Sequence, residues 1–265
     1  MTASARKPLA VVTGASSGIG FELAKQFAEH DYDLVLAAED EAVNDAARRL
    51  GEAVTEVVRV DLATFEGVEQ LADRVEATRR EVAALVINAG VGVGGEFAGD
   101  TRLSDHLRVV DLNVRSAVHL AKRLTPAMAA QRHGRVLFTS SVAAAAPGPY
   151  LSVYAASKAF ISSFSEALRH ELRPAGVTVT ALLPGPTDTE FFERAGMEDT
   201  KIAAGDKDDP AVVAGEGFQA MMAGEGKVVA GSASNTVQSV GSRVLTDEAK
   251  ARLQAKMAEP GSADR

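Results

Sequence analysis

The sequence predicts an α/β protein: a single doubly wound parallel sheet of about seven strands, with helices on both faces. Three observations predict it. Short apolar, β-branched runs recur along the chain and alternate with longer stretches of helical spacing. The first run passes through a glycine-rich turn straight into a helix. Residues suited to ligand contact (Gly14, Glu39, Asp61, Asn88, Ser141, Pro184) stand at the ends of successive runs. The carboxyl ends of parallel strands are where such sheets bind their ligands.

Leu9 to Thr13 reads as a buried strand, and Phe21 to His30 as a helix with Phe21, Leu23, Ala24 and Phe27 on one face. Between them lies Gly14-Ala-Ser-Ser-Gly-Ile-Gly20. Such a turn lets backbone N–H groups approach a diphosphate, and the helix N-terminus favours its charge. Asp33 to Ala38 is the second strand, ended by Glu39 and Asp40, and the next helix runs to Leu50. An acid about 20 residues past the glycines is placed to accept hydrogen bonds from an adenosine ribose. It also serves the start of the next helix.

Val54 to Val60 is strand three, ended by Asp61-Leu62, with a helix from about Phe65 to Arg80. Ala83 to Ile87 is strand four. After it come Asn88-Ala-Gly90 and a glycine-heavy stretch, Val91 to Gly99, that reads as a loop over a ligand. Helical spacing then runs from Leu103 to Ala130, holding Asn113 and a Pro126 able to kink or divide it. Arg135 to Thr139 is strand five, leading to Ser140-Ser141, and a helix spans about Leu151 to Leu172. Val177 to Leu183 is strand six, ended by Pro184-Gly185-Pro186-Thr187. Asp188 to Asp209 is polar but carries Phe191, Phe192 and Met197, as a lid over an apolar substrate would. Asp209-Pro210 is an N-cap with proline at the first helical position, and that helix ends near Gly224. Lys227 to Ala230 is the last strand. A Ser/Asn-rich turn (231–235), an amphipathic helix from Asp247 to Met257 and a frayed end over 259–265 complete the chain. Residues 1–265 read as one domain, with a core over 8–231, a lid over 188–209 and a C-terminal extension over 232–265.

The bulk properties narrow the function. With 46% hydrophobic and 24% charged residues the composition is that of a soluble globular protein. A net charge of -8 argues against a nucleic-acid surface. No apolar run approaches a membrane span or a signal peptide. Zero cysteines exclude disulfides and thiolate metal sites, and histidines at 30, 106, 119, 133 and 170 lack metal-ligand spacing, so no metal is expected. A cytoplasmic location is the plain expectation.

The chemistry concentrates in Tyr154-Ala-Ala-Ser-Lys158. One helical turn apart, Tyr154 and Lys158 share a face, so the ammonium can stabilise a phenolate. Lowering a phenol from about 10 to neutrality takes on the order of 4 kcal/mol. That requires a second positive charge, which an oxidised nicotinamide carries.

Together the motifs resemble the short-chain dehydrogenase/reductases, with their Rossmann-type fold, over roughly residues 8–231. The residues are Thr13-Gly-Ala-Ser-Ser-Gly-Ile-Gly20, Asn88-Ala-Gly90, Asn113, Ser141, Tyr154-x-x-x-Lys158 and Pro184-Gly185. The resemblance implies Tyr154 as general acid in reduction and general base in oxidation. Lys158 would lower its pKa and hold the nicotinamide ribose. Ser141 would bind the substrate oxygen, and Asn113 a water that relays protons through Lys158. Gly14, Ser16, Ser17, Gly18, Ile19 and Gly20 would line the diphosphate, and Glu39 the adenosine ribose. Asp61 and Leu62 would flank the adenine. Asn88, Ala89 and Gly90 would back the cofactor. Pro184 and Gly185 would lie against it, and Thr187 would meet its carboxamide.

Ala38 stands where NAD-dependent relatives often place Asp, and Glu39 where many NADP-dependent ones place Arg. NAD is therefore favoured over NADP, with Arg48 or Arg49 able to reach a phosphate. The substrate expected is a small carbonyl compound or secondary alcohol, apolar if Phe97, Tyr150, Phe191 and Phe192 line its pocket. The resemblance also implies a homodimer or homotetramer through the helices at about 103–130 and 150–173. Two other readings compete. Gly14-x-Ser16-x-Gly18 matches a hydrolase elbow, but it stands after the first strand and lacks a late histidine. A non-catalytic dinucleotide-binding protein is the other.

Overall fold

A computed structural model describes residues 6–232 and 246–263. Seven strands form one parallel sheet: β1 (Leu9–Thr13), β2 (Asp33–Ala38), β3 (Val54–Arg59), β4 (Val82–Ile87), β5 (Gly134–Thr139), β6 (Val177–Pro184) and β7 (Lys227–Ala230). Their order is β3-β2-β1-β4-β5-β6-β7. The central strands read as unbroken apolar runs because both faces are covered.

Alternate residues of each strand serve opposite layers. Leu9, Val11, Val35, Leu85, Val136 and Phe138 face α3 (Phe65–Ala77), α5 (Ser116–Gln131) and α6 (Ser152–Leu172), against Leu71, Val75, Leu120, Leu124 and Ile161. Ala10, Val12, Leu34, Leu36, Leu137 and Leu182 face α1 (Gly18–Glu29), α2 (Ala42–Leu50) and α9 (Pro210–Ala223), against Leu23, Phe27, Val43, Phe218 and Met221. The strand order reverses between β1 and β4, which opens a crevice at their carboxyl ends.

Several boundaries differ from the sequence reading. The third helix stops at Ala77, and Arg79 turns left-handed at φ 51°. The 103–130 pattern is divided, but not by Pro126, which α5 runs through. The break is a π-helical segment, Asp111–Arg115, between α4 (Leu103–Val110) and α5, and Asn113 lies within it. Asp209 does cap α9, accepting from Ala211 N at 2.8 Å, and Gly224 ends it. The 188–209 excursion contains two short helices, α7 (Phe191–Arg194) and α8 (Lys201–Ala204).

The C-terminal helix α10 spans Asp247–Ala258. The segment after it is not frayed over 259–263. Gly261 N donates to Asp199 Oδ2 at 2.7 Å, Ala263 N donates to Asp199 O at 2.9 Å, and Ser262 is buried. From residue 233 onward, the turn expected over 231–235 lies outside the described residues. Among the described residues no helix is long and apolar enough to cross a membrane.

Candidate active site

The glycine turn is sewn to the neighbouring strand ends. Thr13 Oγ1 donates to Val86 O and accepts from Asn88 N at 3.0 Å and Ala89 N at 3.1 Å. Asn88 Nδ2 donates to Thr13 O at 3.1 Å and Gly14 O at 3.3 Å, while its Oδ1 accepts from Thr139 Oγ1. Asn88 thus ties β1, β4 and β5 together beneath the crevice. Gly14 has φ +64°, and a Cβ there would lie 2.9 Å from Ala89 Cα. A Cβ at Gly20 would lie 1.9 Å from Gly14 O, so α1 can start this close only with hydrogen there. Ser17 is the N-cap of α1 and its side chain makes no capping bond. That leaves the helix N-terminus open to an anion.

At one end of the crevice Glu39, Asp40, Asp61 and Leu62 line the wall. Ser16 Oγ donates to Asp40 Oδ2 at 3.0 Å, and Asp40 Oδ1 is buried with no hydrogen-bond partner. Arg108, from α4, reaches both Asp61 and Glu39. Burial opposes ionisation of Asp61, but the Arg108 hydrogen bonds and charge and the Ala63 N–H outweigh it and lower its pKa.

At the other end stand Ser141, Tyr154 and Lys158. Ser141, on the turn after β5, accepts from Ala143 N at 3.1 Å, and its hydroxyl is the neighbour that favours ionisation of the Tyr154 phenol. Ser140 instead points into α6, donating to Lys158 O at 2.8 Å, which separates the roles of the two serines. Lys158 Nζ donates to Thr139 O at 2.9 Å and lies 5.7 Å from the Tyr154 ring centroid. Burial pushes the Tyr154 phenol up to about 12, against the opposing influence of the Ser141 hydroxyl, and pushes Lys158 down to about 8. The protein's own groups alone leave the phenol above its ordinary range, so the expected lowering calls for the charge of an oxidised nicotinamide as well.

Asn113 braces this end. Its Oδ1 accepts from Val91 N and its Nδ2 donates to Val91 O, both at 2.9 Å, and Nδ2 also donates to Ser157 Oγ at 3.0 Å. Ser157 Oγ in turn donates to Tyr154 O at 2.7 Å. The π turn is a common device for re-aiming one side chain out of a helix.

The 188–209 excursion covers the same end. Thr187, Thr189, Phe191, Phe192 and Ile202 line the cleft with Leu151 and Val142. Phe191 packs against Tyr154 with ring centroids 5.1 Å apart and the ring planes tilted by 48°. The two other aromatic residues expected there are elsewhere. Phe97 is 64% exposed and lies against His106, and Tyr150 packs behind the lid cluster. The Val91–Gly99 loop docks on the 188–209 excursion and on Tyr150, with Gly94 N donating to Ala195 O at 2.8 Å and Gly95 N to Tyr150 O at 2.9 Å.

Gly14, Ser16, Ser17, Gly18, Ile19, Gly20, Glu39, Asp61, Leu62, Asn88, Ala89, Gly90, Ser141, Tyr154, Lys158, Pro184, Gly185 and Thr187 all line one continuous cleft. Asn113 stands just behind it. Sequence reasoning missed Thr13, Ser157, Arg108 and Gln254. Thr13 opens the glycine motif and could have been suspected, whereas the others carry no local signal. The cleft fits a dinucleotide: a glycine-rich floor, a helix N-terminus, an orphaned acceptor at Asp40, and polar groups at both ends. Its lining contains no histidine, which removes the hydrolase reading. Among the described residues no cluster suits a metal ion.

Known proteins share this arrangement. The family model described as short chain dehydrogenase matches residues 8–199. Sulfoacetaldehyde reductase 2 of Chromohalobacter salexigens is 32% identical over 189 residues, which cover 69% of this chain and 74% of that protein. A short-chain dehydrogenase from Sphingobium yanoikuyae, solved with NADPH, superposes with a TM-score of 0.77 at 30% identity, covering 84% of this chain and 87% of that one. A 3-ketoacyl-(acyl-carrier-protein) reductase from Brucella melitensis, solved with NADH, gives a TM-score of 0.75 at 26% identity, covering 85% and 97%. Fold, cleft and relatives agree on one chemistry and leave the non-catalytic reading without support. This chain belongs to the short-chain dehydrogenase/reductase family and is an NAD(P)-dependent oxidoreductase acting on CH–OH and C=O groups.

Proposed function

We propose that the chain interconverts an apolar ketone or aldehyde and its alcohol, with NAD(H) favoured over NADP(H). Tyr154 acts as general acid in reduction and general base in oxidation. The carrying observation is the Tyr154 phenol, with the Ser141 hydroxyl and the Phe191 ring beside it, in the same cleft that Glu39 lines. The cofactor supplies the hydride and, when oxidised, a positive charge beside the phenol. Ser141 and Tyr154 hydrogen-bond the substrate oxygen, so charge developing there meets two donors. Lys158, held near 8 by burial, exchanges its proton close to neutral pH and reprotonates Tyr154. Asn113, whose side-chain amide is braced by Val91 and Ser157, holds a water that relays protons through Lys158. Thr187 meets the nicotinamide carboxamide, and residues 188–209 act as the substrate lid over the 8–231 core.

The cofactor preference rests on charge. Glu39 and Asp40 are carboxylates where a 2′-phosphate would lie, and the Ser16 hydroxyl that could donate to a phosphate is given to Asp40. Arg108 offsets part of that repulsion without cancelling it. Self-association through α4 and α6 is part of the reading, since Leu103, Leu107, Val110 and Phe160 expose apolar surface there. Dimer and tetramer are separated by light scattering. A cytoplasmic location, in keeping with the absence of cysteine, is tested by cell fractionation.

The test is NADH oxidation with a panel of ketones and aldehydes, beside fluorescence titration with both cofactors. Turnover of apolar carbonyls that is abolished by Tyr154→Phe, with tighter NADH than NADPH binding, is expected. Equal turnover by the variant would refute the role of Tyr154, and tighter NADPH binding the cofactor preference.

A further inference from the structure

We infer that the C-terminal segment is a fixed wall of the substrate pocket. In that wall Gln254 recognises a hydrogen-bonding substituent carried by the substrate away from its reacting carbon. This rests on the carbonyl-reductase reading and adds the class of substrate to it.

Two sets of observations carry the inference. The first is that the segment is anchored. Asp199 of the lid accepts from both Gly261 N (2.7 Å) and Ala263 N (2.9 Å), and Ser262 Oγ accepts from Lys201 N at 3.0 Å. Ser262 is only 2% exposed and Ala258 3%. Ala258 belongs to a small apolar cluster with Leu151, Phe192, Ala195, Met197 and Ala203, against which Tyr154 and Phe191 pack. The C-terminal segment therefore shares a packing unit with the lid and the catalytic tyrosine. It also lies outside residues 8–199, the span that the family model matches.

The second concerns Gln254. On α10 it lies one turn before Ala258, hence on the same stripe of the helix, and its side chain lines the cleft. The lid and α10 give the cleft few other polar side chains. Glu190 and Arg194 are paired with each other, and the Thr187 and Thr189 hydroxyls donate to the main-chain carbonyls of Gly185 and Thr187. Among the described residues the Gln254 amide has no hydrogen-bond partner, although it can both donate and accept. The same cleft is lined by Leu151, Phe191, Phe192 and Ile202, and Leu151 and Phe192 share the apolar cluster of Ala258, one turn further along α10. The alternative to a partnered amide beside such a wall is a desolvated, unpaired one, once substrate displaces water. A substrate with an apolar body and one hydroxyl, carbonyl or amide beyond it resolves that cost. An all-hydrocarbon ketone does not.

The experiment uses linear methyl ketones of increasing length, each paired with the isostere whose terminal methyl is replaced by hydroxyl. The full-length protein and Gln254→Leu, which keeps helix propensity, are compared with NADH as cofactor. At one chain length the wild type should prefer the hydroxyketone about tenfold in kcat/KM, the worth of one hydrogen bond. Gln254→Leu should lose that preference through KM with kcat unchanged, and Gln254→Glu, which keeps an acceptor, should restore most of it. No preference at any length in the wild type, or a preference that survives in Gln254→Leu, overturns the inference. The difference in melting temperature that each ketone pair gives the NADH complex reports the same contact without turnover. A role for Gln254 in recognition is therefore decided even if neither ketone is reduced, a result that would count against the reductase reading alone.

Discussion

Arg108 and Asp61 are joined by two hydrogen bonds, Nη1 to Oδ2 at 3.1 Å and Nη2 to Oδ1 at 3.3 Å, and the same guanidinium reaches Glu39. A residue from α4 thus bridges the ends of β2 and β3 at the Glu39 end of the cleft. Its charge partly neutralises the acids on which the proposed NAD preference rests. Arg108→Gln should weaken NADPH binding about fivefold and NADH binding less, an effect that fades with added salt. Glu39→Gln should shift the ratio the other way by a similar factor. Fluorescence titrations with both cofactors at two salt concentrations check both.

Tyr154→Phe removes one oxygen and leaves the ring packed on Phe191. Turnover should fall by about 10²–10⁴-fold while NADH affinity stays within a few-fold. A variant that lost NADH binding as well would mean the hydroxyl organises the cleft rather than moving a proton.

Stability should vary with pH through the same pair. Lys158 titrates lower in the fold, at about 8, than its ordinary 10.5. Between these values the unfolded chain binds the extra proton, so stability rises as pH increases from about 8 to 10. Tyr154 titrates higher in the fold, at about 12 rather than 10. Its contribution is complete below pH 10 and is lost as pH rises through 12. Urea midpoints at pH 7 and pH 9.5 should show a gain that Lys158→Met abolishes.

Gly20→Ala places a methyl where Gly14 O already sits, 1.9 Å away. Backbone must yield, so about 1–3 kcal/mol of stability should be lost. Cofactor affinity should fall by more than that loss would cause through unfolding alone. Thermal melts with and without NADH separate the two effects.

Much of the fold is legible from sequence because it is local. Strand runs, the glycine turn and the four-residue spacing of Tyr154 and Lys158 are fixed by neighbours in the chain, and β1 to β7 fall where the apolar runs predict. Ser141 can be told from Ser140 by resemblance, and the structure gives the reason: one hydroxyl meets Tyr154, the other Lys158 O. What escapes depends on distant packing. No local pattern says that Phe97 turns outward while Leu151 turns in, or that Arg108 spans to acids 47 and 69 residues away. The residues after Glu259 look like an end with nothing to hold it, until Asp199 is brought beside them. The phenol's acidity escapes as well. A helical turn brings Lys158 near Tyr154 but does not say which acceptor its ammonium will choose.

The π turn at Asp111–Arg115 amounts to a single extra residue spliced into an otherwise continuous rod. Removing one amino acid there would let the rod close regularly, rotating its leading half by about 100° against its trailing half. The sheet and both its layers could survive such an excision. The bracket from Asn113 to Val91 and Ser157 could not, and the chain would keep its architecture while its chemistry lost the support beneath it.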